Sequence, residues 1–273
     1  MEVIVVDDGS TDETPECARR HPLSPKVIVL PENVGPGAAR NRAAEHAEGE
    51  FLVFLDSDDA MLPRAMGTFA AALAEYPACD VLLLPVRTPD EPGDETTLKR
   101  ADRSCTAYAR YADAARDGVM FATCHCTIRK KRYLEAGGLT ESVRVCEDLD
   151  LGFRLSEDAV VLVDAPVCVA RYQVEGRLTA NVTAWREGML YLEAQERSGQ
   201  YPGGDQSRHK RSWLMMRSWR ALMMDLARSG ARMQALSDYL ARLWLHLRHG
   251  GIKFVVGFPL WWCVNLVFGE PKR

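Results

Sequence analysis

Short apolar runs alternate with polar, helix-like stretches through the first half of the chain, and the runs close on acidic or turn-forming residues. Residues 2–6 are mostly apolar and end in Asp7-Asp8-Gly9-Ser10. Residues 51–55 repeat the pattern and end in Asp56-Ser57-Asp58-Asp59. Further strands are predicted over 26–30, 81–85, 121–128 and 159–163. A helix is predicted to open at Thr11-Asp12-Glu13-Thr14 and run to about Arg20, with Ser10 or Thr11 as N-cap, and further helices over 38–47 and 63–76. Apolar strands separated by helices imply an α/β fold built on a mostly parallel, doubly wound sheet. Residues 88–103 carry Pro89, Pro92 and Gly93 and read as an exposed loop. From 183 to 249 the pattern turns helical. There Leu236, Leu240, Leu243 and Leu247 recur at spacings of four, three and four, which places them on one face.

The last apolar stretch, 254–268, contains Pro259, Trp261 and Trp262. It falls short of the ~20 residues a spanning helix needs. Lys253 and the arginines before it flank one side, as in a re-entrant or interfacial segment. The alternative is an apolar tail packed on the domain or on a second subunit. Three regions follow: a catalytic-type domain over 1–182, a helical extension over 183–250 and an apolar, membrane-directed tail over 251–273.

Composition is that of an ordinary globular protein, 47% hydrophobic and 26% charged. The net charge of −4 hides an asymmetry. Residues 208–273 hold 12 Lys/Arg and 3 Asp/Glu, a net of +9, leaving 22 Lys/Arg against 35 Asp/Glu, a net of −13, for the rest. An acidic body with a basic, Trp-rich end favours contact with an anionic surface. Nucleic acid is disfavoured, because the acidic part holds the candidate chemistry. The eight cysteines are scattered and nothing before them reads as a secretory signal, which points to thiols in a reducing compartment. Cys124-His125-Cys126 lacks a second ligand pair at zinc spacing, and strand alternation would split the trio between faces.

The chemistry lies in the acids. Carboxylates crowded at the tip of a buried strand repel one another unless a cation lies between them, and a hard divalent ion carrying a diphosphate suits an all-oxygen set. Strand tips are also where open α/β sheets bind ligands. Asp7 and Asp8 can share that edge and accept hydrogen bonds from a base or ribose. Gly35-Pro36-Gly37 opens a helix, and a glycine loop there lets a nucleotide approach closely. The same loop imitates a dinucleotide fingerprint, but Arg40 stands where a small residue would pack, so nicotinamide chemistry is set aside. Glu147-Asp148 adds a later acid pair at a predicted helix start.

Taken in order, Val5-Val6-Asp7-Asp8-Gly9-Ser10-Thr11-Asp12, Asn33-Val34-Gly35 with Ala39-Arg40-Asn41, Phe54-Leu55-Asp56-Ser57-Asp58-Asp59, Gly137-Gly138-Leu139 and Glu147-Asp148-Leu149-Asp150 resemble family 2 glycosyltransferases. The resemblance covers roughly 2–180 and extends to Arg171-Tyr172 and Arg177-Leu178-Thr179. It implies the A-type nucleotide-sugar fold and inverting transfer of one sugar from a nucleoside-diphosphate sugar, UDP-linked first, to a glycan or lipid-linked acceptor in cell-surface polysaccharide synthesis. Asp7, Asp8, Asn33, Gly35, Arg40, Asp56 and Ser57 would form the nucleotide site. Asp58, Asp56 and Asp59 would hold Mg²⁺ or Mn²⁺. Asp148 would be the general base, with Glu147 beside it. The implied setting is the cytoplasmic face of a membrane, with peripheral attachment through the tail. Family members place another strand and a Pro-x-Tyr-Asn-like loop ahead of the strand matched by residues 2–6. The resemblance therefore implies a start further upstream or a base pocket short of that part. The non-enzymatic alternative is a glycosyltransferase-like scaffold that binds a partner.

Overall fold

The computed structural model describes residues 1–63, 65–84, 86–87, 104–164, 169–171, 181–249 and 252–268. Its central sheet has five strands in the order β3 (Phe51–Val53), β8 (Cys126–Arg129), β5 (Val81–Leu83), β9 (Val160–Asp164) and β7 (Ser104–Tyr108). β3, β5 and β9 run one way. β8 lies inverted between β3 and β5, and β7 runs antiparallel to β9 at the edge. The expected common direction thus holds for three strands, although β5 and β9 are the adjacent parallel pair of this sheet. β1 (Ile4–Asp7) and β2 (Lys26–Val29) form a separate parallel ladder. A third, small sheet joins β4 (Asp59–Met61), β10 (Val169–Arg171) and β6 (Val86–Arg87).

Side-chain alternation along β5 explains the layering. Val81 and Leu83 enter one core, whereas Leu82 and Leu84 enter another with Val161, Val163 and Phe69 of α3 (Ala65–Glu75). The larger core lies under α4 (Tyr111–Arg116), α5 (Lys130–Glu135) and α6 (Glu147–Arg154). It continues without a break into α7 (Val182–Arg197), α8 (Gly204–Arg228) and α9 (Arg232–Ala241) through Met189, Leu214, Trp219, Met223 and Tyr239.

Several sequence expectations shift. The first helix, α1 (Thr14–Arg19), takes Glu13 rather than Ser10 or Thr11 as its N-cap, because Pro15 sets the first turn and Asp12 accepts from the Thr14 amide. α2 (Pro36–His46) starts at Pro36, two residues before the expected start. Residues 123–125 form a 3-10 turn, so of the Cys-His-Cys trio only Cys126 lies on a strand and the alternation argument does not govern Cys124. The leucine row after 236 does not make one buried face. The helix breaks at Arg242, between α9 and α10 (Leu243–Arg248), and Leu240 and Leu247 are exposed. Ala235, Asp238 and Tyr239 face inward instead.

The basic C-terminal segment also spends part of its charge internally. Arg211 is buried and forks onto Glu196 at 2.7 and 2.8 Å. Arg242 forks onto Glu193 at 2.6 and 2.9 Å and stacks over Trp219. α11 (Ile252–Phe268) runs through Pro259, which has no amide to give to the Val255 carbonyl. The Tyr239 hydroxyl donates to that carbonyl at 2.8 Å, so the orphan group is satisfied and α11 is tied to α9. Arg177-Leu178-Thr179, Tyr172 and the 88–103 loop lie outside the described residues.

Candidate active site

The glycine loop is held by a carboxylate. Both Asp8 oxygens accept backbone amides, from Val34 at 2.7 Å and Gly35 at 2.9 Å, and the Asn33 side chain donates to the Asp8 carbonyl. Gly9 has φ of +77°, and a Cβ there would lie 2.8 Å from the Asn33 nitrogen, so the two loops close on each other only with glycine. Asp7 is buried and accepts the Ser10 amide. Gly35, at φ +95°, caps α2 and aims its first turn along the rim. Arg144 donates to the Asn33 side-chain oxygen at 2.8 Å and closes this loop from above; no sequence signal marked it.

About one turn into α2, Arg40 reaches two acids from distant loops. Its guanidinium meets Asp56 at 2.5 Å and Glu147 at 3.0 Å. Burial works against its charge, but Asp56, Glu147 and Asp148 outweigh burial and raise its pKa. Two carboxylate-bearing segments far apart in sequence therefore share one cation at one rim.

Glu147 and Asp148 open α6 after Cys146, which adopts a left-handed φ of +72°. That strained residue turns the chain so that both acids begin the helix. Burial is the main reason the Glu147 carboxyl is pushed up to about 7; Asp148 adds to it and Arg40 opposes it. Asp148 is likewise raised, chiefly by burial, with Asp56 adding, while the Leu149 amide and Arg40 pull it down. A raised carboxyl pKa suits a group that must take a proton from a hydroxyl.

The Asp56–Asp59 turn follows β3, and Asp59 begins β4, where Arg171 of β10 is its register partner. Asp56, Asp59 and Cys124 bring one ligand atom each to within 4.8 Å of one another. The two carboxylates are hard oxygen donors of the kind Mg²⁺ or Mn²⁺ takes; the thiol is the softer member of the set. Asp58 and Ser57 belong to the same turn but not to that cluster.

A second layer went unread in the sequence. The Asn41 amide oxygen accepts from the Tyr133 hydroxyl at 2.6 Å and the Leu139 amide at 2.8 Å, and its nitrogen donates to the Leu139 carbonyl. Asp150, buried, accepts from the Tyr201 and Thr140 hydroxyls, both at 2.6 Å, and pairs with Arg154. These bonds fix the 137–140 loop and the start of α6 against the helical extension. Asn41 and Asp150 stood in the quoted motifs, but Tyr133 and Tyr201 had only their burial potential to mark them.

An open α/β sheet with a glycine-opened helix and acids from separate loops at one rim defines an A-type nucleotide-sugar transferase fold. Residues 1–138 match the family described as Glycosyl transferase family 2, and the chain belongs to that family. It is 44% identical over 90 residues to the poly(ribitol-phosphate) beta-N-acetylglucosaminyltransferase TarS of Staphylococcus aureus, a match covering 32% of this chain and 16% of TarS. It is 30% identical over 188 residues to the succinoglycan biosynthesis protein ExoO of Rhizobium meliloti, covering 64% of this chain and 50% of ExoO. The matches thus take in half or less of these relatives' length. The crystal structure of S. aureus TarS 1-349 superposes with a TM-score of 0.63 at 18% identity, over 100% of this chain and 83% of that one, a likeness of fold.

Proposed function

We propose that the protein is a metal-dependent inverting glycosyltransferase. It moves one sugar from a nucleoside-diphosphate sugar, UDP-linked first, to a hydroxyl of a glycan or lipid-linked acceptor. The observation that carries the reading is Arg40, which joins Asp56 to Glu147 beside Asp148 and so draws the donor-side and base-side acids to one point. The relatives named for polymer synthesis, and a TarS structure solved with UDP-GlcNAc, support the donor class and a role in cell-surface polysaccharide formation.

In this reading Asp7, Asp8, Asn33 and Gly35 shape the base and ribose end, with Arg40, Asp56 and Ser57 next along the rim. Mg²⁺ or Mn²⁺ would be held by Asp56 and Asp59, with Asp58 at hand, and would neutralise charge on the departing diphosphate. Asp148 takes the acceptor proton as the hydroxyl attacks the anomeric carbon from the face opposite the leaving group, which inverts that centre. Glu147 keeps Arg40 in place. Fixing both substrates in line supplies much of the acceleration. A cytoplasmic setting accords with the free thiols of Cys17, Cys79, Cys126 and Cys146.

The test is release of nucleoside diphosphate from a panel of UDP-sugars with Mn²⁺, run on wild type and Asp148→Asn. The variant is expected to lose transfer and keep donor binding by calorimetry. Wild-type turnover by the variant would remove Asp148 from the mechanism.

A further inference from the structure

We propose that the outer face of α10 and α11 is a docking surface for an anionic lipid bilayer, on which α11 lies flat rather than crossing. This deepens the membrane side of the reading above by naming the surface and its ligand class.

α11 is apolar on both sides. Its inner side packs into the protein: Phe258 is buried, its ring stacks on Tyr239 at 5.1 Å, and the Trp262 indole donates to the Arg232 carbonyl. With that side occupied, Ile252, Val256 and Leu260, one turn apart, remain 66%, 58% and 62% exposed. Leu240 and Leu247 are exposed as well, and Trp244 is 73% exposed. Isolated exposed leucines are ordinary, but an apolar row carrying an open tryptophan marks a contact surface.

Charge chooses the occupant. Arg217, Arg220, Arg232, Arg248 and Lys253 have no carboxylate partner among the described residues, and Arg248 and Lys253 are exposed beside the apolar row. The acids of α8 and α9 are already engaged, Asp225 by Arg228 and Asp238 by Arg186 and Arg242. A second copy of this end would bring like charge against like, whereas lipid phosphates would neutralise it. Geometry sets the mode. Seventeen residues span about 26 Å, short of a ~30 Å hydrocarbon core, and the helix carries Pro259 in its interior. Among the described residues no helix is long and apolar enough to cross a membrane. A Trp-bearing apolar row edged by cations is the pattern of an interfacial helix.

The experiment is flotation of the full chain with phosphatidylcholine vesicles with and without phosphatidylglycerol. Binding to the anionic vesicles is expected, weakened by salt. It should fall on the order of tenfold or more in Ile252→Glu/Val256→Glu/Leu260→Glu and in Arg248→Gln/Lys253→Gln. Circular dichroism and donor calorimetry confirm that both variants fold. No binding to anionic vesicles, equal binding to neutral ones, or binding indifferent to these substitutions overturns the proposal. So does a lipid-free dimer, seen by sedimentation, that the triple variant splits. Vesicle binding without sugar transfer would count against the catalytic reading alone, and transfer without vesicle binding against this one alone.

Discussion

Replacing Glu147 with glutamine should make the protein more stable at alkaline pH while leaving it little changed in acid. The side chain is 9% exposed, and its pKa lies near 7 instead of 4.5. A carboxyl raised on folding binds more protons in the native state than in the unfolded one between those values. Its contribution to stability is therefore fully present below 4.5 and is lost as pH rises through about 7. At about 1.4 kcal/mol per unit, this comes to about 3 kcal/mol, an order of magnitude belonging to the coupled Glu147–Asp148 pair as much as to Glu147. Glutamine is close in shape to the protonated acid and does not ionise. The variant should match wild type near pH 4.5 and exceed it by up to about 3 kcal/mol at pH 8. Urea unfolding at a series of pH values, with unchanged m, reads the difference directly. Arg40→Met should move the wild-type fall to higher pH, since it removes the cation that holds the pair down. If the glutamine and wild-type curves run parallel from pH 4.5 to 8, the acids are not crowded as described and the account of the site fails.

The C-terminal helices should show the opposite sign. Burial holds His246 and His249 down to about 4, with Arg220 contributing to both, so their stabilisation is present above about 6.5 and is lost as pH falls towards 4. His246→Phe should flatten that loss in tryptophan-monitored unfolding, and an unchanged slope would clear His246 of it. Gly188→Ala would drive a methyl group into the Val145 carbonyl just before the Cys146 turn. It should cost ~2–4 kcal/mol and depress transfer, because backbone cannot yield as a flexible side chain can; a neutral effect in denaturation would refute the contact. Tyr239→Phe should cost ~1–2 kcal/mol by orphaning the Val255 carbonyl, and hydrogen exchange in α11 should rise; protection unchanged from wild type would show that carbonyl to be otherwise satisfied.

The features legible in the sequence are those that local chemistry dictates. Strand tips bearing acids, the glycine-opened helix and the strand–helix order each leave a pattern within a dozen residues. What escaped depends on contacts made across long stretches of chain. The Leu236–Leu247 spacing implies one face, but the helix ends at Arg242, which reaches Glu193 and the face of Trp219, and Leu240 and Leu247 are exposed. The net charge of the basic end overstates what it offers to a partner, because composition does not show that Glu193 and Glu196 already hold Arg242 and Arg211. The pattern over 121–128 places Cys124 in a strand; a 3-10 turn instead brings it near Asp56 and Asp59.

Arg40 shows the limit of motif reading most plainly. Its bulk argues against a dinucleotide loop, yet its pairing emerges only with Glu147, 107 residues away. Because Arg40 already binds Asp56, a divalent ion at the Asp56–Asp59 turn must share that carboxylate with a guanidinium. On the proposed reading Asp59, whose backbone is held in the β4–β10 ladder, would share the ion with Asp56. Donor binding would then pull Asp56 towards the metal and loosen its hold on Arg40, leaving the guanidinium to Glu147. On the proposed mechanism, that exchange would bring Arg40 closer to the acid pair and remove the charge of Asp56 from it, both of which lower the pair's pKa, so Asp148 would be held ionised and ready to take a proton when the substrate is in place.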